Sequence, residues 1–468
     1  MLDTLAYGEG TRAPPRNGEL KRYEASSFPV MSQFLALSEG RALVGVLRRW
    51  QVIDFACAAT FIGALLVTWI SLRPFIDLNN PDVIDNSTGN DTPTYLLFGA
   101  LTVLAAFLTM RQNSRGLATL LSPLYVAFAC WIVVCVVLSS DPTTSIKRFA
   151  LTASAAAVAA MTLLLPKSQS EMVRWFSVAV LGLLATCYLG VMLAPNLSIH
   201  LATDVQEPLL AGDWRGSFGH KNVAAAMMAM MLFLGIYITR SGLYLSGLAS
   251  ATLAAIFLVQ TGGKSALALC LGVIVLSSVP LFVRSFRLRA LLLLSPLLLL
   301  NMLSIGTVMS ERLAAIAAAL PLDTSYTGRT EIWTFALQSL QQRLLFGYGF
   351  SAFWGTGAVK GLAGGDLEWM TTVAHSHNGY LDTALAMGLP GLGLLVAVLV
   401  IAPLRNFHLA DQSGNKGPLT MMFLRVWLFG IYLSSFESFY LDRADPIWFT
   451  FLIAVFGMHY LARFRAVN

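Results

Sequence analysis

The sequence predicts an all-α polytopic membrane protein with about twelve transmembrane helices. Hydrophobic residues make up 56% of the 468 residues and charged residues only 12%. A soluble domain carries roughly twice that share of charge. The apolar residues also come in blocks of about 17–22, long enough to cross a hydrocarbon core of ~30 Å as helices. With a mean hydropathy of +0.68, these blocks exclude a chain made of soluble domains.

The first 50 residues differ from the rest of the chain. They are polar, contain Pro14 and Pro15, and carry scattered Arg and Lys. Because they lack the apolar core of a cleavable signal peptide, we predict a cytoplasmic N-terminal tail over residues 1–50. A transmembrane domain over residues 51–468 is expected to follow it.

The predicted spans are apolar blocks separated by charged or turn residues. They lie at 52–72, 95–110, 117–138, 149–165, 175–193, 223–239, 243–259, 265–283, 288–308, 378–404, 419–435 and 447–461. All five cysteines fall inside apolar blocks. No loop therefore offers a disulfide pair or a C-x-x-C metal clip.

The placement of charge predicts the orientation of the spans. One set of alternate connections is short and basic, and the positive-inside rule makes it cytoplasmic. That set includes Arg111, Arg115, Lys167, Arg174, Arg240, Arg284, Arg287, Arg289, Arg405, Lys416, Arg463 and Arg465. The opposite set contains Asp77, Asp82, Asp85, Asp91, Asp141 and Glu437. Both termini are predicted to be cytoplasmic, and the net charge of +6 indicates orientation rather than nucleic-acid binding.

Two outer loops, residues 195–221 and 309–377, carry cations on the side where the rule disfavours them. The first ends in WRGSFGHKN at residues 214–222. In the second, residues 329–343 are predicted to form a helix with Trp333, Ala336, Leu337 and Leu340 on one face. Such an amphipathic helix should lie on the membrane surface.

Several of these outer cations stand at predicted helix N-termini. Lys221, Lys264 and His377 each open an inward-running span, and Arg329 opens the surface helix. A helix N-terminus already carries unpaired N–H groups and partial positive charge, so it favours anions. Any one such cation is as well explained by lipid headgroups. Together, in two Gly-rich loops, they indicate a shared phosphate or diphosphate ligand.

The loops also resemble a known family, the O-antigen ligases and Wzy-type polysaccharide polymerases, including the succinoglycan-type exopolysaccharide polymerases. The matching segments are RGSFGHKN at 215–222, TGRTEIW at 327–333, FGYGF at 346–350 and HNGYL at 377–381, followed by GLPG at 388–391. Their order and their placement on one predicted membrane face make the set specific, although no single motif is.

The resemblance implies a GT-C-like helical fold in the bacterial inner membrane, with the active site facing the periplasm. It implies glycosyl transfer from an undecaprenyl-diphosphate-linked glycan to a glycan acceptor, without a metal or other cofactor. The resemblance also implies that Arg215, Arg329 and His377 correspond to the functional residues of the family. Lys221, Lys264, His220, Asn378 and Trp333 are candidates for binding the diphosphate or the substrate. Lys264 departs from the pattern, because the family often has Arg there.

The residue types agree with this chemistry. Cleavage of the anomeric bond builds negative charge on the leaving diphosphate, which fixed Arg and Lys can stabilise. The acceptor hydroxyl needs a base, and His377 is preferred to His375 because a helix N-terminus should keep its imidazole neutral. Besides donor and acceptor, the expected partners are the lipid bilayer and a chain-length regulator or export complex, with no nucleic acid.

Three other functions remain open from the sequence. A ligase would transfer finished glycan to the lipid A core, whereas a polymerase would join repeat units, the reading we prefer. A transporter should carry ionisable residues within its spans or show repeated halves with discontinuous helices. A lipid-linked oligosaccharide flippase should hold its cations inside the bundle. The spans here are nearly free of charge, so transport of either kind is disfavoured.

Overall fold

A computed structural model describes residues 52–80, 92–205, 207–319 and 328–464. The predicted N-terminal tail lies outside the described residues, as do Asp82, Asp85 and Asp91. Within them the secondary structure is helical, apart from one isolated β-bridge between Ile199 and Trp214. The prediction of an all-α fold is confirmed for this part of the chain.

The helices of the described residues are numbered in chain order. They are α1 (Val52–Ile70), α2 (Thr92–Ala118), α3 (Pro123–Val137), α4 (Pro142–Thr162), α5 (Gln169–Leu193), α6 (Lys221–Arg240), α7 (Tyr244–Gln260), α8 (Lys264–Leu276), α9 (Val279–Phe282), α10 (Phe286–Leu303), α11 (Ile305–Met309), α12 (Glu311–Ala319), α13 (Arg329–Gln341), α14 (Gly357–Leu362), α15 (Gly379–Val396), α16 (Ala402–Gln412), α17 (Pro418–Leu433) and α18 (Pro446–Leu461). A π-helical turn, Ala397–Ile401, joins α15 to α16.

Among these helices, seven segments are long and apolar enough to cross a membrane. They are Val52–Ile70, Thr92–Leu121, Gln169–Leu193, Lys221–Arg240, Lys264–Phe282, Phe286–Leu303 and Gly379–Gln412. Shorter apolar helices form α3, α7, α17 and α18. The chain is thus a polytopic membrane protein, while twelve spans and their orientation stay predictions.

The core of the bundle is built around α6, α17 and α18, whose side chains are buried on nearly every face. Helix α6 packs closely against α7 because glycines face the neighbouring backbone. A Cβ at Gly235 would lie 2.6 Å from the Ala251 nitrogen, and one at Gly247 would lie 2.3 Å from the Thr239 nitrogen. Small residues of this kind allow close helix contacts in membranes.

Two predicted span boundaries are wrong. Helix α2 continues to Ala118 through the non-helical Asn113, and the next helix begins only at Pro123, not at residue 117. Proline is favoured in the first turn of a helix because it lacks the N–H that would be unpaired there. Helix α4 likewise begins at Pro142 instead of residue 149, because Asp141 accepts a capping hydrogen bond from Thr144 N at 3.1 Å.

The predicted span at 378–404 is interrupted. Gly388 has φ 69° and ψ −178°, and a Cβ there would meet the Leu345 carbonyl oxygen at 2.1 Å. Pro390 lacks the N–H that would bond to Ala386, and the Ala386 carbonyl instead accepts from Gly349 N at 3.1 Å. The FGYGF segment therefore packs into the break made by the GLPG segment.

Helix α13 confirms the predicted helix that opens at Arg329, but its expected contact with the membrane surface is wrong. Its apolar residues Trp333, Ala336 and Leu340 are buried in a cluster with side chains from the second loop and α15. The cluster also holds Tyr348, Phe353, Trp354, Met370 and Leu385. The apolar face is thus covered by protein, because the loop supplies its own core.

Candidate functional site

Most of the functional residues predicted from the sequence lie where α6, α13 and α15 begin, beside the segment that joins α17 to α18; Arg215 and Lys264 lie elsewhere. Glu437, in that joining segment, is the residue that links the three helix starts. One carboxylate oxygen, Oε1, accepts from Asn222 Nδ2 at 3.0 Å and faces the Arg329 guanidinium at 3.4 Å. The other, Oε2, lies 3.3 Å from His377 Nδ1. The structure therefore brings Arg329 and His377 onto one carboxylate.

The Glu437 side chain is 21% exposed. Burial raises the pKa of a carboxyl group, but at Glu437 the hydrogen bond from His377 and the positive charge of Arg329 outweigh it. The net result is a Glu437 pKa below the ordinary value of 4.5. Glu437 is therefore an ionised carboxylate at neutral pH, and a carboxylate can only accept hydrogen bonds.

His377 is held in an unusual backbone conformation, with φ 54°. A non-glycine residue in the left-handed region costs about 1–3 kcal/mol and persists only when its surroundings impose it. Its side chain is 30% exposed, and its backbone N–H donates to His375 Nδ1 at 3.2 Å. Because ionised Glu437 can only accept, Nδ1 of His377 is the donor in this contact, and in the neutral imidazole the lone pair is then on Nε2.

His375 is in a different position. Burial, reinforced by the neighbouring His377, lowers the pKa of His375, and its Nδ1 already accepts the backbone N–H of His377. The two rings lie edge to face with centroids 4.2 Å apart. The contacts of His375 thus fix the backbone at His377.

Asn378 is fully buried and caps α15. Its Oδ1 accepts from Tyr380 N and Leu381 N, both at 3.0 Å. Its Nδ2 donates to Asn301 Oδ1 at 3.2 Å and to the Ser435 carbonyl at 3.1 Å. With both ends of the amide satisfied inside the protein, Asn378 fixes the start of α15. These hydrogen bonds give Asn378 a structural role, and its contact with substrate stays a prediction.

Arg329 and Trp333, one turn apart on α13, hold the neighbouring segments. Arg329 donates to the Phe436 carbonyl at 2.8 Å besides facing Glu437. Trp333 has no exposed surface, and its indole N–H donates to the Ser376 carbonyl at 2.8 Å. Arg329 remains 21% exposed and can reach a ligand, whereas Trp333 positions the backbone before His377.

Arg215 lies within the first outer loop, apart from the Glu437 carboxylate. Its side chain is 1% exposed and donates to the Ile76 carbonyl at 2.6 Å and to the Phe218 carbonyl at 3.2 Å. Burial lowers the pKa of Arg215, and among the described residues its Nε has no hydrogen-bond partner. The predicted contact of Arg215 with a diphosphate stays a prediction.

The other candidate residues adjoin the start of α6. Lys221 pairs with Asp213 at 2.5 Å. His220 caps α6 by accepting from Asn222 N at 3.0 Å, and its Nε2 contacts Glu207 at 2.6 Å. The hydrogen bond from His220 lowers the pKa of Glu207.

Lys264 opens α8 beside the same loop. Gly262, two residues earlier, packs so closely on Asp213 that a Cβ there would meet Oδ1 at 2.5 Å. The Lys264 side chain is exposed, and no ion pair to it occurs within the described ranges. Of the predicted cations, Lys264 and Arg329 are thus the ones whose side chains are accessible to a ligand.

Sequence reasoning missed Glu437, which it used only as an indicator of orientation. One available signal was that Glu437 is an acidic residue in a short connection on the same predicted face as Arg329 and His377. No local pattern in the sequence indicates that the segment between α17 and α18 contacts both Arg329 and His377.

Comparison with known proteins supports the predicted resemblance. A family model described as O-antigen ligase matches residues 249–396, which include α8, α13 and the broken helix α15. The chain is also 31% identical over 93 residues to the exopolysaccharide production protein ExoQ of Rhizobium meliloti (strain 1021). That similarity covers 19% of this chain and spans 20% of the relative's length.

Proposed function

Since residues 249–396 match the O-antigen ligase family model and a further similarity is to an exopolysaccharide production protein, we propose that this chain transfers glycan from an undecaprenyl-diphosphate carrier and polymerises exopolysaccharide or O-antigen repeat units. The observation that carries the proposal is the contact of one ionised carboxylate, Glu437, with both Arg329 and His377. A histidine oriented by a carboxylate beside an accessible arginine is suited to activating a hydroxyl next to a phosphate leaving group.

His377 acts as the general base. Its Nδ1–H donates to Glu437, so Nε2 takes the proton of the acceptor hydroxyl as that oxygen attacks the anomeric carbon. The bond from the anomeric carbon to the diphosphate oxygen breaks in the same step, and the lipid diphosphate leaves with the electron pair. The carboxylate stabilises the imidazolium that forms, as in other carboxylate–histidine pairs.

Arg329 stabilises the leaving diphosphate. Its guanidinium lies 3.4 Å from Glu437, longer than the usual 2.7–2.9 Å of a charge-assisted hydrogen bond. Glu437 therefore balances the charge of Arg329 without occupying all of its N–H donors. Lys264, exposed at the start of α8, supplies a second cation, and Arg215 holds the first loop in place through the Ile76 and Phe218 carbonyls.

The site would lie at the periplasmic face of the inner membrane, where carrier and acceptor meet. A chain-length regulator or export complex is a further proposed partner. The name of the relative, an exopolysaccharide production protein, favours repeat-unit polymerisation. The family description, O-antigen ligase, favours transfer to lipid A core as the second candidate.

A broken helix such as α15 is also found in transporters. Here, however, the freed Ala386 carbonyl accepts a hydrogen bond from Gly349 N within the protein. The geometry thus gives the break a structural explanation that does not need transport.

The test is synthesis by the purified full chain in liposomes that contain a polyprenyl-diphosphate-linked repeat unit. A polymerase should produce lipid-linked chains of two or more repeats from donor alone, and His377→Gln should stop this while still binding donor. Product that forms only after lipid A core is added would identify a ligase. No transfer to either acceptor, with donor bound normally, would contradict the proposed reaction.

A further inference from the structure

A cavity of about 360 Å³ lies between the turn that joins α2 to α3, helix α16 and the end of α18. Its polar lining comes from Ser122, Tyr125, Arg405, Asn406, His459 and Arg463. The volume falls in the range of small-ligand sites, roughly 300–1,000 Å³. The cavity is separate from the Glu437 site, with which it shares no residue.

The charge of this cavity is positive. Arg405 and Arg463 both line it, and no Asp or Glu is among the described residues around it. Arg463 donates to the Asn406 side chain at 3.3 Å and to the His459 carbonyl at 2.8 Å, which orients the guanidinium without neutralising it. Two cations facing one space without a carboxylate are repulsive unless an anion joins them.

A second observation concerns the Tyr125 hydroxyl at the cavity wall. Its oxygen is buried and has no hydrogen-bond partner among the described residues. A buried hydroxyl without a hydrogen-bond partner is destabilising. The neighbouring His459 is already used, because its Nε2 contacts the Thr119 carbonyl at 3.2 Å. The cavity thus presents two arginines, and the unpartnered Tyr125 hydroxyl lies buried in its wall.

The cavity lies at the opposite end of the helices that carry the Glu437 site. Helix α18 begins at Pro446, nine residues after Glu437, and ends at Leu461, so it separates the two by roughly 24 Å at 1.5 Å per residue. On the predicted orientation, this end faces the cytoplasm. Anionic lipids that meet basic residues near the cytoplasmic surface are held by electrostatic attraction.

The remaining wall is apolar. Pro123, Leu124, Ala402 and Leu409 line the cavity beside the arginines, and Leu409 is 39% exposed on the outside of the bundle. A site with a basic end and an apolar wall open towards lipid matches a phospholipid, whose headgroup is charged and whose chains are not.

We propose that this cavity binds a phosphate-bearing anion through Arg405 and Arg463, with the headgroup of an anionic phospholipid as the occupant that the apolar wall favours. The inference is independent of the proposed reaction, since no residue of the Glu437 site takes part. Free inorganic phosphate has the same chemistry and is distinguished by the test.

The experiment uses the purified full chain, exchanged into mixed micelles that contain phosphatidylglycerol and phosphatidylcholine, and counts retained lipid by native mass spectrometry. The wild type should retain phosphatidylglycerol preferentially. The double variant Arg405→Gln/Arg463→Gln should retain it about 30-fold more weakly, the effect expected for two basic residues at a lipid surface. The matched control is Arg111→Gln, an exposed arginine that lies over the Phe107 ring outside this cavity, and it should behave as wild type.

A second arm measures the thermal unfolding of the wild type in phosphatidylcholine alone as inorganic phosphate is added. Stabilisation that the double variant loses would make a free phosphate the occupant and would still support the anion site. If the double variant fails to fold, the lipid preference and the phosphate response of the wild type test the proposal. No preference for phosphatidylglycerol over phosphatidylcholine, together with no effect of phosphate, would overturn the proposal.

Discussion

Replacing Glu437 by Gln tests the proposed site most directly, because the two side chains have the same shape. The change removes a charge that contacts Arg329 at 3.4 Å and His377 at 3.3 Å. Gln offers an amide that can turn its N–H₂ towards His377. The imidazole would then accept at Nδ1 and carry its proton on Nε2, where it cannot act as a base.

We expect Glu437→Gln to lower turnover by about two to four decades, which corresponds to ~3–5 kcal/mol of transition-state stabilisation. The free energy of unfolding should fall less, by about 1–3 kcal/mol, because the charge-assisted contacts of one half-buried carboxylate are lost. Donor binding should change less than threefold, because Glu437 contacts the base and Arg329 and is not itself a diphosphate ligand. The loss should therefore appear in kcat and not in KM.

The assay is single-turnover transfer with purified protein and lipid-linked donor, with donor affinity measured separately. Glu368→Gln is the matched control, because Glu368 is an exposed carboxylate of the second loop with no contact to the site, and its activity should stay at the wild-type level. A folded Glu437→Gln protein that keeps turnover within threefold of wild type would refute the positioning role. A loss confined to donor affinity would refute it as well.

The remaining predictions concern other parts of the chain. Arg329→Ala should reduce the rate of transfer by two to three decades, about 3–4 kcal/mol. Arg329→Lys should restore little of that rate. Full activity of the Lys variant in the same assay would exclude a bidentate contact between Arg329 and a phosphate. Arg215→Ala should also lower the unfolding temperature, seen by tryptophan fluorescence, because its buried guanidinium satisfies two carbonyls. A cysteine at the exposed Gly357 should react with an impermeant thiol reagent in intact spheroplasts, and one at Ser285 only after lysis. Burial lowers the pKa of His200 in the folded chain. Below about pH 6.5 the unfolded chain therefore binds a proton at His200 more readily than the folded chain does, and the free energy of unfolding should decrease as the pH falls. His200→Asn should flatten that dependence in pH-resolved unfolding.

Much of the fold follows from the sequence because hydrocarbon imposes a simple rule: apolar blocks must be helices. The boundaries were harder to predict where polar residues extend a helix beyond its apolar part. Lys147 and Arg148 lie inside α4, although hydropathy placed them outside a span. Capping by Asp141 and the first-turn Pro142 decide that helix start, and these local signals outweigh the charge.

Helix α13 shows a different limit of prediction from the sequence. Its amphipathic pattern correctly predicted a helix with one apolar face, but the pattern does not say what covers that face. Membrane and protein are equally apolar partners. In the structure, Trp333 is buried against the loop's own aromatic residues and donates its N–H to Ser376. The contact between Trp333 and Ser376 joins residues that are far apart in the sequence, and helical periodicity describes only neighbouring residues.

The motifs themselves were found singly, and the structure shows why two of them occur together. GLPG opens a break in α15 at Gly388 and Pro390, and FGYGF supplies the N–H groups that fill it: Gly349 N bonds to the Ala386 carbonyl and Tyr348 N to the Leu385 carbonyl. Because a carbonyl freed inside a bundle costs several kcal/mol if unpaired, neither segment is stable there without the other. The break lies within α15, whose start at Gly379 is capped by Asn378, so the first turns of that helix are held at one end by the cap beside His377 and at the other by the FGYGF segment.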